Sequence, residues 1–241
     1  NNSSEKQLKK SVERTISWAK RCRREYDKQV KKRKLSLKQR PLLFGVIQGG
    51  LNRQLRRDCA AELLKLDFAG YGFGGWPIDD KGNFLTEIIK YTANLVPQDK
   101  LRFALGIGKP ENIVQAVKYG WDMFDCVIPT RNARHGQLFV FVPVVKRRIA
   151  SSRLPATSKR IFKLLPDVNY SIINIANQRF KNDLSPINPN IPELAGYTKA
   201  YLNYLFKTGD SLGQRLATIN NLWFYANLLK KIQQGIRGGL I

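Results

Sequence analysis

Asp125 is the only acid inside an apolar run, Met123-Phe124-Asp125-Cys126-Val127-Ile128. A carboxylate placed there costs free energy unless it is paired or used. It is read either as a catalytic group or as a structural acid capping the loop that follows. Directly after it, Thr130-Arg131-Asn132-Ala133-Arg134-His135-Gly136 sets two arginines three residues apart. Arginine forks suit phosphates and base edges; a solvated loop is the plain alternative. Cys126 has no base within sequence reach and is expected to be a small buried hydrophobe. Three further stretches are Gln48-Gly49-Gly50, Gly74-Gly75-Trp76 and Gly106-Ile107-Gly108. Their glycines allow close backbone approach and free amides, which suits a flat ligand with carbonyl acceptors, or merely a tight turn. The last is not a dinucleotide fingerprint, because its third glycine is missing.

These four stretches all end a short apolar run. The runs begin at Leu42, Gly70, Arg102 and Met123, the last extending to Ile128, and helical periodicity fills residues 51–66, 84–95 and 110–119 between them. Strands alternating with helices predict a parallel sheet, and near-continuous apolar strands predict burial on both faces. In such folds chemistry sits at the carboxyl ends of strands. The expected fold is α/β: about four βα units of a (β/α)8 TIM-type barrel, with a basic helical N-terminal arm and C-terminal helices. The expected domains are a basic arm at 1–40, the half-barrel at 41–140, a basic insertion or linker at 141–181, and loop plus helices at 182–241. Within the arm, Glu5 to Tyr26 has helical spacing, and Ser11 with Arg14 makes no capping box. Residues 138–149 and 170–175 suit a hairpin or an insertion, 151–169 a linker, and 198–235 a helix with an apolar stripe.

Composition narrows the function classes. The chain has 241 residues, 43% of them hydrophobic, which is enough for a substantial core. Three scattered Cys and one His exclude a disulfide-stapled domain and a His-rich metal site. No apolar run approaches the roughly 18 residues of a membrane span, and there is no signal-peptide pattern. The net charge is +24. Residues 1–40 hold 15 Lys and Arg against 4 acids, and residues 140–181 hold 9 against 1. Two such segments point to a polyanionic partner, nucleic acid ahead of an anionic membrane surface.

The residues also resemble a known family. Phe44-Gly45-Val46-Ile47-Gln48-Gly49-Gly50-Leu51, Leu64 to Tyr71, Gly74-Gly75, and above all the run from Gly120 to Arg134 are similar to bacterial queuine tRNA-ribosyltransferase, the tRNA-guanine transglycosylases; so is Ser11 to Cys22. The resemblance implies exchange of the wobble guanine of tRNA for a 7-deazaguanine base or queuine. It implies Asp125 as nucleophile in a double displacement, with the target base taken out of its stack. It further implies Gln48, Gly75, Trp76 and Leu105 around the base, and Arg131 and Arg134 on the anticodon loop. The implied partners are tRNA and the base, with a homodimer or partner subunit left open and no membrane; the implied location is cytoplasmic.

The chain also departs from the family pattern. The family's strands ahead of the Ser11–Cys22 helix, with two further aspartates, have no counterpart after Asn1, so the chain is expected to lack an N-terminal part. The family's structural zinc has no ligands here: Pro189 to Tyr197 contains no Cys, and Tyr204 stands at the expected His position. No cofactor is therefore assigned. Trp76 replaces a smaller aliphatic residue, and the basic stretches 27–40 and 141–169 are atypical. The competing expectation is a noncatalytic tRNA-binding subunit or inactive fragment of the same family.

Overall fold

The computed structural model describes residues 4–143, 161–166 and 168–241. They form two compact units, Asn1–Gly108 with Gln115–Cys126, and Lys109–Val114 with Val127–Ile241.

The first unit opens with helix α1 (Glu5–Lys32). Ser4 and Gln7 close a capping box at its start, with Gln7 N–H donating to Ser4 Oγ at 3.3 Å and Ser4 N–H donating to Gln7 Oε1 at 2.8 Å. The helix runs on from the apolar-patterned stretch into the basic one and ends at Lys32, short of the full helical arm expected to residue 40. Val12 anchors it in a cluster with Ile47, Cys59, Leu63 and Phe68, beside helix α2 (Arg53–Leu64).

Strands β1 (Phe44–Ile47), β2 (Gly70–Phe73), β3 (Leu101–Ala104) and β4 (Met123–Phe124) form one parallel sheet in that order. Helices α2, α3 (Thr86–Asn94) and α4 (Pro110–Lys118) connect them. Every β2 residue is buried, as its apolar run predicts. The ladder pairs Ile47 with Phe73, Gly72 with Phe103 and Ala104 with Phe124. The alternating βα pattern is therefore present as a four-strand open sheet, and no closed barrel occurs among the described residues. The fourth strand is shorter than expected. It ends at Phe124, and helix α5 (Ile128–Arg134) starts at the last residue of the apolar run. Pro129 at the head of that helix favours the turn, because its ring fixes a helical φ and needs no donor there.

The second unit is built on strands β5 (Gln137–Val142), β6 (Ile161–Leu165) and β7 (Val168–Asn174), antiparallel in the order β5-β7-β6. The apolar stretches near 138 and 170 do pair, Leu138 with Ile173 and Val140 with Ser171. The linker reading of 151–169 needs correction, since β6 occupies its C-terminal end; residues 144–160 lie outside the described residues. Helix α6 (Pro192–Ala195) interrupts the expected loop. The C-terminal helix is two helices, α7 (Lys199–Thr208) and α8 (Ser211–Arg237). Gly209, at φ 73°, ends α7 in the left-handed conformation that glycine adopts without strain, and Asp210 caps α8. Leu138, Ile173, Phe180, Leu194, Leu202 and Leu216 belong to the core of this unit. None of the described helices is long and apolar enough to cross a membrane.

Candidate active site

The parallel sheet places Gln48, Gly74, Gly75, Leu105 and Asp125 just beyond the carboxyl ends of four adjacent strands. Glycines in β2 make room for the side chains above them. A Cβ at Gly72 would lie 2.5 Å from Leu105 Cδ1, and one at Gly74 would lie 2.6 Å from the Gln48 amide. Gln48 and Leu105 therefore lie against bare backbone.

Asp125 is not buried in a strand. It is exposed, one residue past β4. The burial argument that singled it out fails, yet the geometry gives it another distinction. Its Oδ1 accepts the Gly106 N–H at 2.9 Å. Its Oδ2 has no hydrogen-bond partner among the described residues. One oxygen is thus anchored by a turn that Gly106 makes at φ 75°, while the other stays open to solvent. An anchored, accessible carboxylate suits a nucleophile toward a large substrate. Cys126 is half-buried, not buried as expected. Trp76 is 76% exposed, so its side chain is open to solvent.

The site contains a residue that the sequence reading passed over. Arg56 is 1% exposed and, among the described residues, faces no carboxylate. Its guanidinium donates to three backbone carbonyls: Gly50 at 2.7 Å, Ile47 at 3.1 Å and Gly74 at 3.0 Å. It lies over the Phe73 ring, 4.2 Å from the centroid. Burial pulls its pKa down to about 10, partly offset by Cys59. Cys59 accepts the Gln48 N–H at 3.4 Å, and burial pushes its thiol pKa up. The signal was available, since Arg56, Cys59, Ala60 and Leu63 form the buried stripe of α2 at i, i+3, i+4 and i+7.

In the second unit, Arg131 and Arg134 are exposed on α5, a helix where a loop was the plain alternative. Spacing of three puts them on one face. Asn221 of α8 holds that helix in place. Its Nδ2 donates to the Pro129 and Gln137 carbonyls, both at 2.9 Å, and its Oδ1 accepts the Phe139 N–H at 3.0 Å.

The family model for queuine tRNA-ribosyltransferase matches residues 1–240. The chain belongs to the queuine tRNA-ribosyltransferase family. It is 38% identical over 230 residues to a queuine tRNA-ribosyltransferase of Haemophilus ducreyi, covering 95% of this chain and 51% of that protein. Against that of Actinobacillus pleuropneumoniae the identity is 37%, with the same coverage. Against that of Francisella tularensis it is 35% over 237 residues, covering 98% and 54%. The chain spans about half the length of these curated relatives.

The zinc implied by the family resemblance does not fit the residues here. Ile191 and Leu194, in the segment that corresponds to the family's ligand-bearing stretch, are core side chains at 3% and 0% exposure. Asn188 beside them donates to Asn220 Oδ1 at 3.0 Å, and Asn220 donates to the Phe139 carbonyl at 3.1 Å. Tyr204 is 58% exposed and stacks on Tyr201. Among the described residues no group of three or more His, Cys, Asp and Glu is placed to hold a metal. An amide network ties this segment to α8 and β5, and no chemistry is routed through a metal.

Proposed function

We propose that this chain performs tRNA base exchange, replacing the wobble guanine with a 7-deazaguanine base or queuine, through a covalent intermediate on Asp125. In this reading the open sheet is half of a TIM-type barrel. The observation that carries it is Asp125 itself: Oδ1 held by Gly106 and Oδ2 open, on the same sheet edge as Gln48, Gly75 and Leu105.

The open oxygen attacks the ribose anomeric carbon as the bond to guanine breaks. Guanine leaves with that electron pair and gains a proton. The incoming base then attacks the same carbon, the ester to Asp125 breaks, and the base gives up a proton. Two inversions retain configuration, the logic of retaining glycosidases. Gln48 offers an amide to the base edge, Gly75 and Trp76 offer backbone groups, and Leu105 packs on a base face. Arg131 and Arg134 grip anticodon-loop nucleotides, and the basic residues of α1 add long-range attraction.

The test is incorporation of labelled guanine into an anticodon stem-loop bearing a wobble guanine. Label should enter the stem-loop with the chain and not with Asp125→Asn. No incorporation by the unaltered chain favours the noncatalytic alternative. Incorporation that survives Asp125→Asn overturns the role of Asp125.

A further inference from the structure

Arg56 is an unusual side chain to bury. A guanidinium without an acid partner is costly in the interior, and a buried Leu or Met would fill the same stripe of α2. What Arg56 does with its charge is specific. Each carbonyl it holds belongs to a peptide plane whose N–H is the next residue's. The Gly74 carbonyl shares its plane with the Gly75 N–H, and the Ile47 carbonyl shares its plane with the Gln48 N–H. A trans peptide points the two groups in opposite directions, and no cis peptide is present among the described residues. Pulling the Gly74 carbonyl toward Arg56 at 3.0 Å therefore turns the Gly75 N–H away from it. That N–H has no acceptor among the described residues, and Gly75 itself is exposed. The second plane is fixed from both sides, by Arg56 on the Ile47 carbonyl at 3.1 Å and by Cys59 Sγ under the Gln48 N–H at 3.4 Å.

We propose that Arg56 is a positioning residue for base recognition: it presents the Gly75 N–H as a preset donor to a carbonyl of the incoming base, and it fixes the direction in which Gln48 leaves β1. The cation also polarises the Gly74 peptide, which strengthens its N–H as a donor. The ligand class this selects is a planar heterocycle with a carbonyl acceptor. Guanine fits it, and 2,6-diaminopurine, which carries an amine in place of that carbonyl, does not. A side chain that cannot span three carbonyls leaves the planes loose. Lys keeps the charge but offers one nitrogen in place of the fork.

The proposal rests on the base-exchange reading and deepens it. The experiment measures binding of guanine and of 2,6-diaminopurine by calorimetry, for the unaltered chain and for Arg56→Lys, alongside the KM of each base and of the stem-loop. In Arg56→Lys the preference for guanine should fall at least about tenfold, the cost of one good hydrogen bond. The KM for the stem-loop should not move. A purely structural arginine would lower stability and leave the guanine preference intact, and that result overturns the proposal. A second measurement, independent of how well Arg56→Lys folds, uses the unaltered chain. Hydrogen exchange at the Gly75 amide should slow several-fold when guanine is added, and an unchanged rate also overturns the proposal. If the unaltered chain binds no guanine at all, the base-exchange reading falls first. A chain that binds guanine while the Lys variant keeps its preference refutes Arg56 alone.

Discussion

Replacing Asn221 should be among the most damaging single changes in the second unit. The side chain is fully buried, and it bonds to three backbone groups of α5 and β5. Asn221→Ala removes the acceptor of the Phe139 N–H and the donor to the Pro129 and Gln137 carbonyls. A buried polar group left without its partner costs about 1–3 kcal/mol. Three such groups at the low end give about 3 kcal/mol, and the small cavity adds to that. A loss of that size lowers the melting temperature of a unit of this length by about 10 °C. Asn221→Asp separates hydrogen bonding from packing. It conserves shape and keeps an acceptor for Phe139, yet sets a carboxylate oxygen against two carbonyls. It should therefore be less stable than Asn221→Ala. The assay is thermal unfolding followed by circular dichroism, with stem-loop affinity measured well below the transition. If the Asp variant melts with the unaltered chain, the bonds carry no weight and the reasoning is wrong.

Other outcomes follow from the same geometry. In Gly74→Ala the new methyl would sit 2.6 Å from the Gln48 amide, so that side chain must move; the KM for guanine should rise about tenfold while the melting temperature changes little. In native protein at pH 8, iodoacetamide should label exposed Cys22 and leave buried Cys59, whose thiol is pushed up by burial, as peptide mass spectrometry would report. Lys100 holds the Asp67 carboxyl below the usual carboxylate range. Its folded pKa is thus depressed, so its contribution is complete above the unfolded value of about 3.9 and is lost as pH falls through the lower folded value. Lys100→Met should accordingly change stability slightly and equally at every pH from 5 to 8. Stem-loop affinity should fall steeply as salt rises, and a flat salt response would exclude the basic residues of α1 from docking.

The parallel sheet was legible because β1 to β3 are apolar runs that end in glycine, and the periodicity of α2 to α4 marks the connections. The chemistry-bearing stretches were legible for the same reason, as the residues that follow each run. Asp125 was singled out on a wrong premise. Its run looked like a buried strand, but Pro129 starts a helix and leaves the acid exposed. β6 was hidden among Pro, Ser and Lys residues, whose composition resembles a linker. Arg56 and Asn221 were missed because a polar side chain inside an apolar stripe looks like an interruption. Their partners are backbone carbonyls and amides, which leave no mark in the residue pattern. The turn at Gly209 was one glycine in a long helical stretch, and only its left-handed conformation shows that the helix ends there.

The central claim is that the Asp125 carboxylate becomes bonded to the ribose of the target nucleotide. The direct measurement is intact mass after mixing the chain with a wobble-guanine stem-loop and quenching in acid before any second base is added. The account predicts a species heavier than the chain by the stem-loop less one guanine, mapping to Asp125 after digestion and missing in Asp125→Asn. A heavier species attached elsewhere, or label exchange with no such species at any quench time, would contradict it.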